Sequence, residues 1–264
     1  MANLKDGLRN ASSGNLKGMM IEQKLNSLFS VKRSPEREAA FVKELLEREG
    51  ETQERVGLHA SAMLASEKEF CLRQQVLSLL YKQIQGDNIP VKLKRVFEEG
   101  NSVHQKWQRL FIAGDLGNPE DMDRHRFIKK YELSYTPDAR IHIFGEDVLV
   151  EIKSMNTYAF KKATSHPSGE KQLNFYLCLE KLKLGFVLAE DKNDQEFKVF
   201  IVKRDVDKAR PYLNRLVVIK KAKEHFLETG KMPKRICSSC DCKQAEKCSM
   251  KDACWNIGIG RVKL

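Results

Sequence analysis

The sequence VLVEIKSM at positions 148–155 places a glutamate and a lysine two residues apart within an apolar stretch. Side chains alternate between the two faces of a β-strand, so Glu151 and Lys153 would share one face. A carboxylate there could bind a divalent cation, and the ammonium group could offset charge on a phosphate. Taken alone, the pattern more often marks the solvated face of a strand, because polar residues commonly alternate with apolar ones.

A second carboxylate, Asp138 in TPDARI, precedes a predicted strand at 139–144. A turn between this strand and the one predicted at 147–153 would pair the two as a hairpin and bring Asp138 near Glu151. Two carboxylates on adjacent strands are suitable oxygen ligands for a hard cation. Asp138 could also be an ordinary turn residue that follows Pro137.

Short β-branched or aromatic segments, separated by Pro, Gly, Asp and Asn, follow Asp123 and predict β-strands. We expect five of them to form one sheet: 131–134, 139–144, 147–153, 185–189 and 197–202. The segment SGEKQLNFYLCLEKLKLG, which precedes the fourth strand, predicts a helix that crosses over the sheet.

Amphipathic spacing predicts further helices on both sides of these strands. One of these helices begins at Ser34, and three others cover 68–85, 89–111 and 206–229. Residues 1 to about 33 mix Asn, Ser, Gly and Lys with short apolar pieces, and we expect a partly ordered arm there.

Three polar residues on the predicted helices complete a recognisable set. His104 lies on the helix at 89–111, and Gln172 and Tyr176 are four residues apart on one face of the crossover helix. With them the chain resembles the RecB-like branch of the PD-(D/E)XK nuclease superfamily. That family has a helix histidine, a strand aspartate, an ExK strand and a QxxxY helix. The matching positions occur in the same order: His104, Pro137-Asp138, Glu151-Ile152-Lys153 and Gln172 to Tyr176.

The resemblance implies a restriction-endonuclease-like α/β fold: a mixed central sheet flanked by helices, with a helical N-terminal extension and a Cys-rich C-terminal closure. It also implies a deoxyribonuclease that depends on Mg²⁺ or Mn²⁺, with an exonuclease favoured over an endonuclease. The implied metal ligands are His104, Asp138, Glu151 and the backbone carbonyl of Ile152. Lys153 would position the attacking water, while Gln172 and Tyr176 would contact the DNA backbone or brace the site.

Seven cysteines are present, and five of them fall within residues 237–254, at Cys237, Cys240, Cys242, Cys248 and Cys254. In a reducing compartment this density favours metal or iron–sulfur ligation over disulfides. Zinc is one candidate, because Cys237, Cys240, Cys248 and Cys254 supply four thiolates without Cys71. Cys178, on an apolar helix face, is expected to be a buried structural thiol.

Cys71, followed by Arg73, resembles the upstream cysteine of the iron–sulfur nucleases in this branch. These include CRISPR-associated exonucleases and the nuclease domains of bacterial end-resection complexes. They take one ligand from before the nuclease core and three from after it, around a 4Fe-4S cluster. The resemblance implies Cys71, Cys248 and Cys254 as ligands here. The usual position of the fourth ligand is occupied by Ala245, so we favour Cys237 as the fourth, with Cys240 and Cys242 as the alternatives.

The formal charge of +11 is unevenly distributed, because residues 203–264 contain 16 Lys or Arg against 7 Asp or Glu, a net charge of +9. Such a region is expected to contact a polyphosphate such as DNA, although a basic solvated surface is the alternative. The chain has no apolar run long enough to span a membrane and no apolar secretory segment near Met1. We therefore expect a cytoplasmic protein of a bacterial or phage-infected cell, with no membrane partner.

We predict an N-terminal arm and helix at 1–60, and a nuclease domain at 61–264 that includes the cysteine-rich segment 237–254. The expected function is DNA cleavage in recombination, repair or phage DNA processing, with DNA ends or single strands as partner. Recombination or replication proteins are possible further partners. The alternative is a non-catalytic DNA-binding or complex-assembly subunit with a nuclease fold and a structural zinc.

Overall fold

The computed structural model describes residues 13–32, 34–50, 57–81 and 91–256. The helices are α1 Ser13–Leu28, α2 Pro35–Gly50, α3 Ala60–Met63, α4 Leu72–Leu80, α5 Val91–Ala113, α6 Thr157–Lys162, α7 Pro167–Glu180, α8 Val206–Thr229, α9 Lys243–Glu246 and α10 Lys251–Asn256. The strands are β1 Leu58–His59, β2 Arg126–Ile128, β3 Leu133–Tyr135, β4 Ala139–Ile143, β5 Glu146–Met155, β6 Leu184–Asp191 and β7 Phe197–Lys203.

The chain divides into two compact units. The first comprises Met1–Glu51, Val91–Arg124 and Thr136–Lys208, and the second comprises Thr52–Pro90, His125–Tyr135 and Ala209–Leu264. The predicted division at residue 60 stays a prediction. Among the described residues, no helix combines the length and apolar character that crossing a membrane would require.

The first unit is built on a four-stranded sheet with the order β4-β5-β6-β7. β5 is antiparallel to β4 and parallel to β6, and β7 is antiparallel to β6. The parallel pair is joined through α7, which packs on β5 and β6 as the crossover helix predicted from the sequence. The predicted class, a mixed sheet flanked by helices, is confirmed.

Both faces of the central strands are covered. On one face, Val150 and Ile152 pack in a core with Trp107 and Phe111 of α5. On the other face lies α7, whose Leu173 is fully buried. β5 therefore reads as a nearly continuous apolar run, as expected for a strand buried on both faces. A charged residue within such a run is held in a medium of low polarity.

The N-terminal helix α1 was not predicted as an element. Its Ile21, Leu25 and Leu28 follow helical spacing and are buried in the same core. Glu22 of α1 accepts a hydrogen bond from the backbone N–H of Val199 in β7 at 3.1 Å. This helix therefore covers the sheet, and the remaining residues of the predicted arm, 1–12 and 33, lie outside the described residues.

The second unit contains a small sheet with the order β1-β3-β2. The expectation that residues 131–134 join the main sheet is wrong, because β3 pairs with β1 and β2 instead. The reason is local: Lys129–Tyr131 forms a 3-10 turn, and Glu132 takes a left-handed conformation with φ of 49°.

In α8, Arg215 donates hydrogen bonds to the carbonyls of Met63 and Ala65 at 2.5 and 2.6 Å.

The other predicted helices are present with shifted bounds. The predicted helix at 206–229 coincides with α8, and the one at 89–111 begins and ends two residues later as α5. The predicted helix at 68–85 corresponds to the shorter α4, and its predicted end at 82–85 lies outside the described residues. The helix predicted from Ser34 is α2, and its first turn carries Glu36 and Glu38.

Candidate active site and cysteine cavity

The β4–β5 hairpin places Asp138 beside Glu151. Ala139 of β4 pairs with Val150 of β5 in antiparallel register. Asp138, which directly precedes β4, is therefore a neighbour of Glu151, which directly follows Val150. Asp138 Oδ2 accepts a hydrogen bond from the backbone N–H of Ile152 at 2.6 Å. The carbonyl of Asp138 accepts hydrogen bonds from Gln108 Nε2 at 2.8 Å and from the backbone N–H of Asp123 at 3.1 Å. These contacts fix Asp138 at the start of β4.

His104, Asp123 and Asp138 form a group of potential metal ligands, because one ligand atom of each lies within 4.8 Å of the others. His104 Nδ1 lies 3.6 Å from Asp138 Oδ1. α5 contributes His104, and the turn directly before β4 contributes Asp138. A nitrogen and several carboxylate oxygens fit Mg²⁺ or Mn²⁺ by donor type.

Glu151 is only 1% exposed, at the centre of the buried sheet. Its Oε1 accepts a hydrogen bond from Lys153 Nζ at 2.5 Å, while its Oε2 has no hydrogen-bond donor among the described residues. Burial, followed by the nearby charge of Asp138, raises the pKa of Glu151 to about 8. A buried carboxylate oxygen without a donor is costly, and a bound cation is one way to satisfy it.

Burial also raises the pKa of Asp138, although His104 and Lys153 oppose the shift. Burial by itself would lower the pKa of Lys153, but the carboxylates of Glu151 and Asp138 outweigh this effect, so its pKa is raised. Lys153 therefore stays a cation, and its charge favours the ionised forms of the two buried carboxylates. Because the pKa values of all three groups are raised, the site favours bound protons or cations.

Gln172 and Tyr176 lie one turn apart on α7, as the sequence predicts. Gln172 Nε2 donates to Tyr176 Oη at 3.2 Å, and Tyr176 is buried. The structure thus brings the glutamine and tyrosine together on α7, and brings His104 and Asp138 together at the hairpin. The roles of all these residues stay predictions.

Two residues near this site were missed by sequence reasoning. Asp123 comes from a loop and has φ of 46°, so no strand or helix pattern marks it. His166 caps α7 by accepting a hydrogen bond from Gly169 N–H at Nδ1, at 3.1 Å. Burial and the charge of Lys153 lower the pKa of His166. A histidine directly before Pro167 was the available signal for this cap.

In the second unit, four thiols line one small cavity: Cys71, Cys237, Cys248 and Cys254. These are the four cysteines favoured from the sequence, whereas Cys240 and Cys242 do not line it. Cys71 also caps α4, because its sulfur accepts a hydrogen bond from the backbone N–H of Gln74 at 3.4 Å. What the cavity holds stays a prediction.

The thiols of the cavity influence one another. Burial, followed by the neighbouring Cys242, raises the pKa of Cys237 to about 11. Burial also raises the pKa of Cys248, and Cys71 and Cys254 add to the shift. Four thiols in one place are hard to ionise together without a cation, which is the chemistry of a metal–thiolate centre.

Cys178 was expected to be buried, and it is only partly buried. Its sulfur lies 3.7 Å from the carbonyl oxygen of Asp205 as a weak donor. Burial raises the pKa of this thiol. It belongs to the first unit and takes no part in the cysteine cavity.

The fold and the two clusters define a mixed-sheet α/β protein with a carboxylate–histidine site. No family model matches the sequence, and no curated protein matches it. The crystal structure of SSO0001 is similar at 14% identity and a TM-score of 0.43, over 92% of this chain and 98% of that chain.

An alkaline exonuclease, LHK-Exo from Laribacter hongkongensis, is similar at 13% identity and a TM-score of 0.44, over 66% of this chain and 93% of that chain. In complex with dAMP, LHK-Exo gives 15% identity and a TM-score of 0.47, over 65% and 90% of the two chains. All three scores are below 0.5, so these likenesses identify neither a family nor an activity.

Proposed function

We propose that this protein is a divalent-metal-dependent DNA nuclease whose site is that of the RecB-like PD-(D/E)XK nucleases. The carrying observation is the pairing of Asp138 and Glu151 on one hairpin, beside His104 and Asp123. An exonuclease acting on DNA ends or single strands is the expected form. DNA is the proposed partner, in recombination, repair or phage DNA processing in the cytoplasm.

The metal would be Mg²⁺ or Mn²⁺, held by His104, Asp123, Asp138 and Glu151 with the carbonyl of Ile152. Support comes from the oxygen and nitrogen donors within 4.8 Å and from the buried Oε2 of Glu151 that has no donor in the described part of the chain. A bound ion of this kind lowers the pKa of a coordinated water and offsets charge on the scissile phosphate.

The remaining polar residues would act on the water and on the DNA backbone. Lys153, kept cationic by its carboxylate neighbours, would position the attacking water and stabilise negative charge on the phosphate. Gln172 and Tyr176 would contact the DNA backbone or brace α7 against the site, and the hydrogen bond between them supports bracing.

The decisive experiment measures degradation of end-labelled DNA with Mg²⁺ or Mn²⁺ by the wild type and by Glu151→Gln. We expect the substitution to reduce the rate by at least about 10²-fold, the usual cost of a group that acts directly in the chemistry. Glu146→Gln is the matched control, because Glu146 is an exposed residue at the start of the same strand.

Linear and circular single-stranded DNA separate the two modes of cleavage. An exonuclease degrades the linear strand and leaves the circle intact. If the wild type binds DNA but degrades neither of these strands nor linear duplex DNA with either metal, the nuclease proposal fails. The protein would then be a non-catalytic DNA-binding or assembly subunit.

We further propose that Cys71, Cys237, Cys248 and Cys254 hold a 4Fe-4S cluster, with zinc as the alternative. Support comes from the shared cavity, which includes Cys71 and leaves out Cys240, a member of the zinc set. Thiolates are the ligands of both centres, so donor type alone does not choose between them.

Anaerobic purification, a visible absorption spectrum and metal analysis test this centre. A brown protein with iron and sulfide, whose colour is lost in Cys71→Ala and kept in Cys178→Ala, is expected. A colourless protein with one zinc that does not need Cys71 would contradict the cluster. The nuclease proposal would be unaffected, because it rests on the other unit.

A further inference from the structure

Arg73 is a buried arginine that does not line the cysteine cavity but contacts one of its cysteines, Cys254. It lies in the first turn of α4, two residues after Cys71, and only 7% of it is exposed. Its Nε donates to Cys254 Sγ at 3.2 Å, and its Nη2 donates to the carbonyl of Cys254 at 3.3 Å. Its Nη1 donates to the carbonyl of Pro233 at 2.9 Å. All three nitrogens of the guanidinium are therefore used within the second unit.

The charge of Arg73 has no carboxylate partner within ion-pair distance among the described residues. A buried cation normally requires an anion, because removing it from water is costly. The guanidinium contacts one sulfur and two carbonyl oxygens, so a metal–thiolate centre at that sulfur would supply the missing negative charge.

We propose that Arg73 is the positioning residue of the thiolate centre: it orients Cys254 and tunes the metal through an N–H···S hydrogen bond. This inference rests on the metal–thiolate centre proposed above, whether the metal is iron or zinc. Hydrogen bonds to ligand sulfurs and nearby charge are general determinants of the electronic properties of such centres.

The geometry requires arginine. The planar guanidinium reaches one sulfur and two carbonyl oxygens at once, which a lysine ammonium on a flexible stem does not reproduce. Arg73→Lys therefore retains the charge and loses the fixed geometry. Arg73→Gln loses the charge as well.

Arg235 provides a matched control, because it also donates a hydrogen bond to the carbonyl of Cys254. Its Nη2 donates to the carbonyl of Cys254 at 2.7 Å, and its guanidinium stacks on Trp255 with 4.4 Å between the carbon and the ring centre. Arg235 lines the cavity, but no hydrogen bond from it to a sulfur is found in the described part of the chain. Arg235→Gln removes a cation and a bond to Cys254, and it leaves the N–H···S contact in place.

The test uses the full chain, purified anaerobically, as wild type, Arg73→Gln, Arg73→Lys and Arg235→Gln. For an iron–sulfur centre the readout is the reduction potential, measured without DNA. Loss of the hydrogen bond and charge destabilises the reduced, more negative state. We expect the ratio of reduced to oxidised centre at fixed potential to fall about tenfold in Arg73→Gln, which corresponds to about 59 mV for one electron.

For a zinc centre, cobalt(II) replaces the metal and the readout is the sulfur-to-cobalt charge-transfer band. A sulfur without its hydrogen bond releases electron density more readily, so the band of Arg73→Gln moves to longer wavelength. In both cases we expect a smaller shift in Arg73→Lys and none in Arg235→Gln. If Arg73→Gln does not retain metal, the Arg73→Lys protein carries the measurement.

Equal spectra and potentials in the wild type and in both Arg73 variants would overturn the inference. It is also overturned if Arg235→Gln gives the same shift as Arg73→Gln, since charge alone would then explain the effect. A wild type that binds neither iron nor zinc removes the centre and the role of Arg73 together. DNA cleavage is assayed separately through Glu151, so loss of the centre and loss of the nuclease are distinguishable.

Discussion

At the scale of single residues, Glu151 is both a proposed metal ligand and a buried carboxyl group whose ionised form is disfavoured by burial. One of its oxygens is bound by Lys153, and the other has no donor in the described ranges. Its pKa rises from the ordinary value of 4.5 to about 8, because burial disfavours the ionised form. The folded protein therefore retains a proton that the unfolded chain releases across this range.

Because the native state binds more protons than the unfolded state, the free energy of unfolding should fall as pH rises from about 4.5 to about 8. We expect metal-free protein in EDTA to unfold at a lower temperature at pH 8 than at pH 6. The difference should be at least roughly 2–4 °C, the effect of about 1 kcal/mol in a chain of this size. Glu151→Gln should reduce this difference, and a thermal melt of Glu151→Gln that keeps the full pH dependence would contradict the assignment.

Asp123 also belongs to this scale, because it joins the metal group from a loop. We expect Asp123→Asn to weaken Mn²⁺ binding by roughly 10–100-fold, through the loss of one anionic oxygen. Isothermal titration of the metal measures this change. Asp121→Asn, two residues earlier and outside the group, is the control, and equal affinities in the two variants would show that Asp123 is not a ligand.

At the scale of elements, α7 is placed by a close contact at its start. A Cβ on Gly169 would lie 2.8 Å from His166 Nδ1 and 3.2 Å from Val187 Cγ1. The glycine therefore lets α7 approach β6, and the approach sets where Gln172 and Tyr176 lie. The helix cap and the sheet contact are two parts of one arrangement.

We expect Gly169→Ala to destabilise the protein by about 1–3 kcal/mol, because a buried position must accept an extra methyl group. Gly100→Ala, at a helix position where an added Cβ has nothing within 4 Å, should stabilise by about 0.5–1 kcal/mol. Urea unfolding measures both. A stabilising Gly169→Ala would mean that α7 does not pack this closely.

The unpredicted helix α1 has a testable role in the core. Ile21→Ala should destabilise by about 2–4 kcal/mol, since it removes a buried side chain and leaves a cavity. Met20→Ala, at a neighbouring exposed position of the same helix, should cost much less. Chemical denaturation measures the free energy of unfolding of both variants. If Ile21→Ala and Met20→Ala lower it by equal, small amounts, α1 does not pack in the core.

The sequence predicts the strongly periodic elements and the local part of the site. The alternation around Glu151 and Lys153 and the spacing of Gln172 and Tyr176 each lie within one element, so one pattern is enough. α1 was missed because Asn, Ser and Gly residues obscure the spacing of its apolar positions. β3 was placed in the wrong sheet because a three-residue strand carries no information about its partner. Asp123 was missed because its position depends on contacts made across the fold.

At the scale of the whole molecule, charge is the property that the sequence assigns most directly. The net +9 of residues 203–264 is expected to bind the phosphate backbone of DNA through counterion release. Lys243 and Lys247 are exposed members of this region.

We expect the affinity for single-stranded DNA to fall with salt, with a log–log slope that becomes shallower by about 1.4 in the double variant Lys243→Gln/Lys247→Gln. Fluorescence anisotropy at several salt concentrations measures the slope. Lys24→Gln/Lys32→Gln has the same change in net charge in the first unit and should leave the slope unchanged. Equal slopes in both double variants would mean that this basic region does not contact DNA.

The cysteine cavity also constrains how the protein is made. Arg73 and Cys254 contact each other across 181 residues of sequence. During translation the cavity cannot close until residue 254 has left the ribosome, and all strands of the four-stranded sheet have been synthesised by then. Metal insertion, if the centre forms as proposed, is therefore a late step of biogenesis, after the sheet that carries Glu151 can already have folded.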